Sequence, residues 1–135
     1  MKKIFSLFIL SLFILSSCDY WSSYTFKVIN STQETITLKF EYELYPYQTE
    51  NNEEVILLPA EEKVIRVIYG PLNSPVHDCL TEHGIAFFRE LVFDTYVNNE
   101  KLEKQLWQAE NWIYQHKSNY SAEYYMTITN EMIQK

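Results

Sequence analysis

From Tyr24 to Asn30 (YTFKVIN) the chain sets Tyr24, Phe26 and Val28 on one side of an extended segment and Thr25, Lys27 and Ile29 on the other. From Thr35 to Tyr42 (TITLKFEY) the alternation repeats, with Ile36, Leu38, Phe40 and Tyr42 against Thr35, Thr37, Lys39 and Glu41. Joined by Asn30-Ser31-Thr32-Gln33, these two runs predict a hairpin. A polar, aromatic loop over residues 45–52 follows. Val55 to Leu58 and Lys63 to Tyr69 then predict two more strands connected through Pro59-Ala60-Glu61-Glu62, the second ended by Gly70-Pro71. Residues 71–84 carry two prolines and no sustained period, which predicts a loop. Ile85 to Val97 resumes as a β-rich stretch, Asn98-Asn99 is a hairpin-turn candidate, and Tyr120 to Thr129 closes the series with Tyr124, Met126 and Ile128 on one face.

The segment from Lys101 to His116 fits two patterns. Leu102, Leu106, Ala109 and Ile113 fall at helical spacing, whereas Leu102, Lys104 and Leu106 suit a returning strand; the reading favours strand, then loop. Six or seven strands, with almost no glycine for a nucleotide-binding loop, predict an all-β fold. The expected architecture is a two-sheet antiparallel sandwich of about seven strands, for which an immunoglobulin-like arrangement is one solution.

The N-terminus departs from this pattern. Met1-Lys2-Lys3 is a positive start, and Ile4 to Leu15 is apolar except for two serines. A transmembrane helix needs about 20 apolar residues, more than this run offers before the polar and aromatic Asp19-Tyr20-Trp21-Ser22-Ser23. The run reads as an export signal. Leu15-Ser16-Ser17-Cys18 resembles a lipobox. The resemblance implies a signal peptide over residues 1–17, cleavage before Cys18 and diacylglycerol on its thiol. Residues 18–23 would then be a lipidated tether and residues 24–135 a single β-sandwich domain. Two or three acyl chains hold a protein on a membrane far more lastingly than one. Even extended, Asp19 to Ser23 span only about 17–20 Å, so the domain is expected to work close to its membrane, with Tyr20 and Trp21 at headgroup level.

Removing residues 1–17 leaves 118 residues, with 9 basic against 18 acidic side chains. That length closes one modest core. A net charge near −9 repels phosphate backbones and anionic headgroups, so nucleic acid is not an expected partner. With Cys18 acylated, Cys79 has no cysteine to pair with, and the core must hold without a disulfide.

The aromatic, Asn-ended first strand soon after the lipobox, the Thr-rich second strand (ETITLKFEY) and the aromatic last strand running into Ile128-Thr129-Asn130-Glu131-Met132-Ile133 resemble the small β-sandwich lipoproteins of Bacteroidetes. The resemblance implies fold and location, an outer-membrane lipoprotein on the periplasmic face or the cell surface, and no particular activity. Surface-exported members tend to carry several acidic residues after the cysteine. Here Asp19 stands alone before Tyr20 and Trp21, which points to the periplasmic side.

His77, Asp78, Cys79 and His83 are the densest set of metal-ligand types, with His77, Cys79 and His83 the candidate ligands. No second pair repeats their spacing, so neither a metal nor another cofactor is expected. A Cys79–His catalytic pair would need an activated thiolate and an oxyanion hole, and no enzyme is expected. Glu53-Glu54 and Glu61-Glu62 read as solvated loop charges. Tyr45, Tyr47, Trp107, Trp112 and Tyr114 lie in the least regular segments, where a ring could stack on a sugar or anchor a protein interface. The leading expectation is a non-enzymatic binding module of the cell envelope, meeting a protein or glycan through loops 45–52, 71–84 and 107–118. The alternatives are a periplasmic inhibitor or immunity lipoprotein against a basic hydrolase, and an enzyme or metal-binding protein using His77, Cys79 and His83.

Overall fold

The structure is a computed structural model that describes residues 21–40, 54–83 and 91–134; Cys18, Tyr45, Tyr47 and the expected signal peptide lie outside them, and of Pro71, Leu72 and His83 only the backbone is described. The described residues form β1 (Trp21–Asn30), β2 (Ile36–Phe40), β3 (Glu54–Leu57), β4 (Glu62–Leu72), β5 (Phe93–Val97), β6 (Glu100–Lys101), β7 (Ile113–Ser118) and β8 (Ser121–Ile128). Two short helices accompany them, α1 (Cys79–His83) and α2 (Asn130–Ile133). No described helix is long and apolar enough to cross a membrane.

The strands make two four-stranded sheets, one ordered β4-β1-β8-β7 and the other β3-β2-β5-β6. The fold is the expected all-β, two-sheet sandwich. Period-two alternation is what builds it. Tyr24, Phe26 and Val28 of β1 and Tyr124, Met126 and Ile128 of β8 face inward, and they meet Ile36, Leu38, Val55, Leu57 and Phe93 of the second sheet in one buried core. Leu91, Leu102, Leu106 and Trp112 also belong to this core. Burying each such side chain is worth roughly 1.5–3 kcal/mol, and among the described residues Cys79 is a free, buried thiol within that core.

Several sequence expectations are corrected. Eight strands are described where about seven were expected, and the first sheet is mixed, because β1 runs parallel to β8 (Tyr24 beside Ala122, Asn30 beside Ile128). The first two strands do not pair as a hairpin: β1 pairs with β4 and β8, β2 with β3 and β5. The chain arches from one sheet to the other at Asn30, and it arches back between β3 and β4. Asn30 is fully buried and ties both arches. Its Nδ2 donates to the carbonyls of Glu34 at 2.8 Å, Leu57 at 3.2 Å and Leu58 at 3.1 Å, while its Oδ1 accepts from the Thr32 amide and hydroxyl. A strand end captured in this way is led across the sandwich instead of turning back on itself.

Gly70-Pro71 does not end β4, which continues to Leu72. β4 is an edge strand, where proline can sit with its missing N–H on the open side. The expected loop over residues 71–84 contains the last strand residues and α1. Asn98 and Asn99 both have positive φ, 49° and 71°, and make the tight β5–β6 turn that two-residue hairpins favour. Between Lys101 and His116 the chain is strand, then loop, then strand again from Ile113. Strand pairing also begins at Trp21, inside the expected tether.

Candidate functional site

The direction of β1 defines two poles, and a different group of side chains gathers at each. At the pole where β1 begins, α1 packs over the inward tyrosines of the first sheet. The Tyr24 and Tyr124 rings stack 6.2 Å apart, and Tyr124 lies 5.0 Å from Phe26 and 5.2 Å from Tyr114. The hydroxyls of the first two reach α1. Tyr124 OH donates to Asp78 Oδ1 at 3.0 Å and accepts from the Leu80 amide at 3.4 Å, and the Cys79 thiol donates to Tyr24 OH at 3.4 Å. Asp78 also caps α1, accepting from the Thr81 amide at 3.3 Å and hydroxyl at 2.6 Å.

His77 stands beside this cluster with Nε2 3.5 Å from Cys79 Sγ and 3.5 Å from Glu82 Oε2. Both contacts fall on the same ring nitrogen. A nitrogen that carries a proton toward Glu82 cannot take one from the thiol, so the three do not form a relay of the thiol-imidazole-carboxylate kind. Burial pushes the Cys79 thiol up, and nearby Glu82 and Asp78 add to that. Reactive thiols show the opposite shift. The geometry of His77, Asp78, Cys79, Tyr24 and Tyr124 is that of a latch fastening α1 onto the sheet. Among the described residues no three His, Cys, Asp or Glu side chains converge where a metal ion could sit.

The aromatic candidates separate. Trp112 is a core ring, 7% exposed, edge-on to Phe26 at 5.5 Å, with its Nε1 donating to the Trp107 carbonyl at 3.1 Å. Trp107 and Tyr114 are partly buried against the same core. Neither Trp107 nor Trp112 is brought together with His77 by any described contact.

At the opposite pole, where β1 ends, lies an open cleft of about 500 Å³. The first arch, the β5–β6 turn and α2 enclose it. Glu34, Asn98, Glu100 and Asn130 supply polar groups, while Val97, Leu102 and Ile133 supply apolar surface. The arch and the turn are locked together: Asn98 N donates to the Thr35 carbonyl at 3.0 Å, its Oδ1 accepts from the Thr35 amide at 3.2 Å, and its Nδ2 donates to Glu34. Lys101 also lines the cleft, with its ammonium in a 2.6 Å ion pair with Asp94 that raises its pKa. Glu34 and Glu100 thus lie over an apolar surface on pre-formed elements, an arrangement suited to a polar ligand with an apolar side. The sequence pattern pointed to other loops. The local signal for this cleft was the Asn98-Asn99 turn, which shows a tight hairpin but not what it faces.

No family model, no curated protein and no solved structure matches the chain, so the reading of its function rests on these two poles and on the N-terminal sequence.

Proposed function

We propose that the protein is a membrane-anchored lipoprotein of the cell envelope, held by acyl chains on Cys18, that acts as a non-enzymatic binding module for an envelope protein or glycan. The observation that carries this reading is the position of the cleft relative to the chain entry. β1 begins at Trp21, three residues after Cys18, and its 10 residues run the height of the first sheet. At about 3.3 Å per residue that is about 30 Å. The cleft lined by Glu34, Asn98, Glu100 and Leu102 lies at the far end of that strand. Anchoring at one pole and binding at the other suits a module that meets partners across the envelope.

A second reading, an inhibitor or immunity lipoprotein against a basic hydrolase, draws on the carboxylates of Glu34 and Glu100 in that cleft. Salt separates the two, because an electrostatically steered complex weakens steeply with ionic strength.

Two measurements test the proposal. Intact mass of the protein extracted from host membranes, beside Cys18→Ala, should show an acylated species starting at Cys18 that the variant lacks. A photo-crosslinking residue placed at Glu100 should capture an envelope partner in cells, and one placed at Ile113, exposed on the edge strand β7, should not. Adducts from Ile113 alone, or an unacylated mature chain, would count against the reading.

A further inference from the structure

The outward face of the first sheet changes character along β1. Its middle carries an ion lattice: Lys27 Nζ lies 3.1 Å from Glu123 and 3.7 Å from Glu62, and Lys117 lies 3.0 Å from Glu123. Toward the start of β1 the outward positions are Thr25, Ser23 and Trp21 on β1, with Val67 opposite Thr25 and Tyr69 opposite Ser23 on β4. None of these five is charged. Trp21 is 61% exposed and Tyr69 60% exposed, the two highest values among the large apolar side chains described.

Ser23 shares a face with its partner Tyr69, and Trp21 is the next exposed position along β1, so Trp21 and Tyr69 meet at the same corner across the bulge that shifts the register between Trp21 and Ser23. They are held on a ladder and not on a loop. Gly70 keeps the two strands close here, since a Cβ at that position would come within 2.3 Å of the buried Ser22 hydroxyl. Past a bulge, pairing resumes at the Trp21–Leu72 rung.

We propose that this corner is a membrane-contact surface, with Trp21 and Tyr69 seated together in the headgroup layer of the bilayer that carries the acyl chains. The inference rests on acylation of Cys18. Acyl chains fix that residue at the hydrocarbon boundary. Asp19 and Tyr20 alone separate it from Trp21, so the Trp21 Cα lies at most about 11 Å away along the chain. The headgroup layer is about 5–7 Å thick on each side. Trp21 cannot clear it by more than a few ångströms, and Tyr69, paired with Ser23 on the adjacent strand, is carried with it. Tryptophan and tyrosine are the side chains that favour this layer, with an apolar ring and a polar edge. None of the five corner positions adds to the repulsion that the acidic chain meets at anionic lipids. The contact tilts the sandwich onto the β1–β4 corner and fixes the direction in which the distal cleft points.

The test uses the acylated protein purified from host membranes, its mass checked for acyl chains, and placed in phosphatidylcholine vesicles with brominated or unbrominated chains. Bromine quenches only indole rings within contact reach of the lipid. Wild-type emission should fall in brominated vesicles and that of Trp21→Phe should not. In the Trp21→Phe background, Tyr69→Trp should restore the loss, and Val64→Trp, outward on β4 beside Lys27, should not. Quenching at both 69 and 64 would overturn corner contact in favour of a sheet lying flat. Quenching at neither 21 nor 69 in an acylated protein would overturn the inference and leave the lipoprotein reading standing. A protein without acyl chains would overturn both readings together.

Discussion

The Asn30 side chain donates to the Leu57 carbonyl, 3.2 Å away and 27 positions on in sequence, from a site with no solvent exposure. That bond joins the end of a strand in one sheet to the end of a strand in the other. Asn30 Nδ2 also serves the carbonyls of Leu58 and Glu34, so one amide holds both crossovers of the sandwich. Asn30→Asp keeps the shape but turns a donor into a carboxylate oxygen facing three carbonyl oxygens. It should cost about 3–5 kcal/mol, more than Asn30→Ala, because it buries an uncompensated charge. The lost stability should return in part as pH falls, since burial raises the pKa of such a carboxyl and protonation restores a donor. Urea midpoints at neutral and acid pH measure both effects; equal losses for the two variants would show that the amide is not what holds the arches.

Gly70→Ala should destabilise the fold by about 1–3 kcal/mol, the usual range for overpacking. The new Cβ would lie 2.3 Å from Ser22 Oγ but 3.4 Å from Ser22 Cβ and 3.3 Å from Tyr24 Cε2. Removing the hydroxyl by Ser22→Ala should therefore recover part of the loss, which a double-mutant cycle on denaturation free energies would read as favourable coupling. Additive losses would mean that the strand end moves to accommodate the methyl group.

How much of this was legible in the chain follows from the range of each interaction. The inward sets Tyr24, Phe26, Val28 and Tyr124, Met126, Ile128 are local alternations, and they were readable. The parallel pairing of β1 with β8 joins opposite ends of the described chain and leaves no local trace. The arch at Asn30 was misread because Asn-Ser-Thr-Gln has ordinary turn chemistry, and its deciding partners, the carbonyls of Leu57 and Leu58, lie far along the sequence. Pro71 reads locally as a terminator, but its effect depends on edge position, a property of the sheet and not of the residue. His77-Asp78-Cys79 stood out by density, yet its role is set by Tyr24 and Tyr124, core residues with hydroxyls at the tip. The cleft draws on Glu34, Asn98, Glu100 and Asn130, which are scattered along the chain and unremarkable one by one.

Thr95 offers a prediction of the opposite sign. It is 2% exposed, and its inward position on β5 opposite Leu38 leaves Oγ1 without a hydrogen-bond partner. Burying a hydroxyl unpaired costs about 1–3 kcal/mol. Thr95→Val has nearly the same shape and no group to desolvate, so it should stabilise the protein by about 1 kcal/mol, seen as a higher urea midpoint with an unchanged slope. A loss of stability would show that the hydroxyl is satisfied in solution.

The latch beneath α1 makes stability depend on alkaline pH. Burial raises the Tyr24 hydroxyl above its ordinary value; burial likewise raises Tyr124, with its bond to Asp78 adding to the shift. The Cys79 thiol is raised by burial too. The unfolded chain releases these protons near the ordinary values, about 8.5 for a thiol and about 10 for a phenol. The folded chain holds them longer, so it binds more protons over the interval and its stability falls as pH rises through it. Below about pH 8 the contribution is complete and flat. Urea midpoints measured from about pH 8 to pH 11 should therefore decline, with the steeper part above about pH 10. Tyr24→Phe removes one of the groups and should flatten that decline whatever it does to stability at neutral pH. An unchanged slope in Tyr24→Phe would mean that the hydroxyl ionises as freely in the folded chain as in the unfolded one, and that α1 does not hold its proton in place.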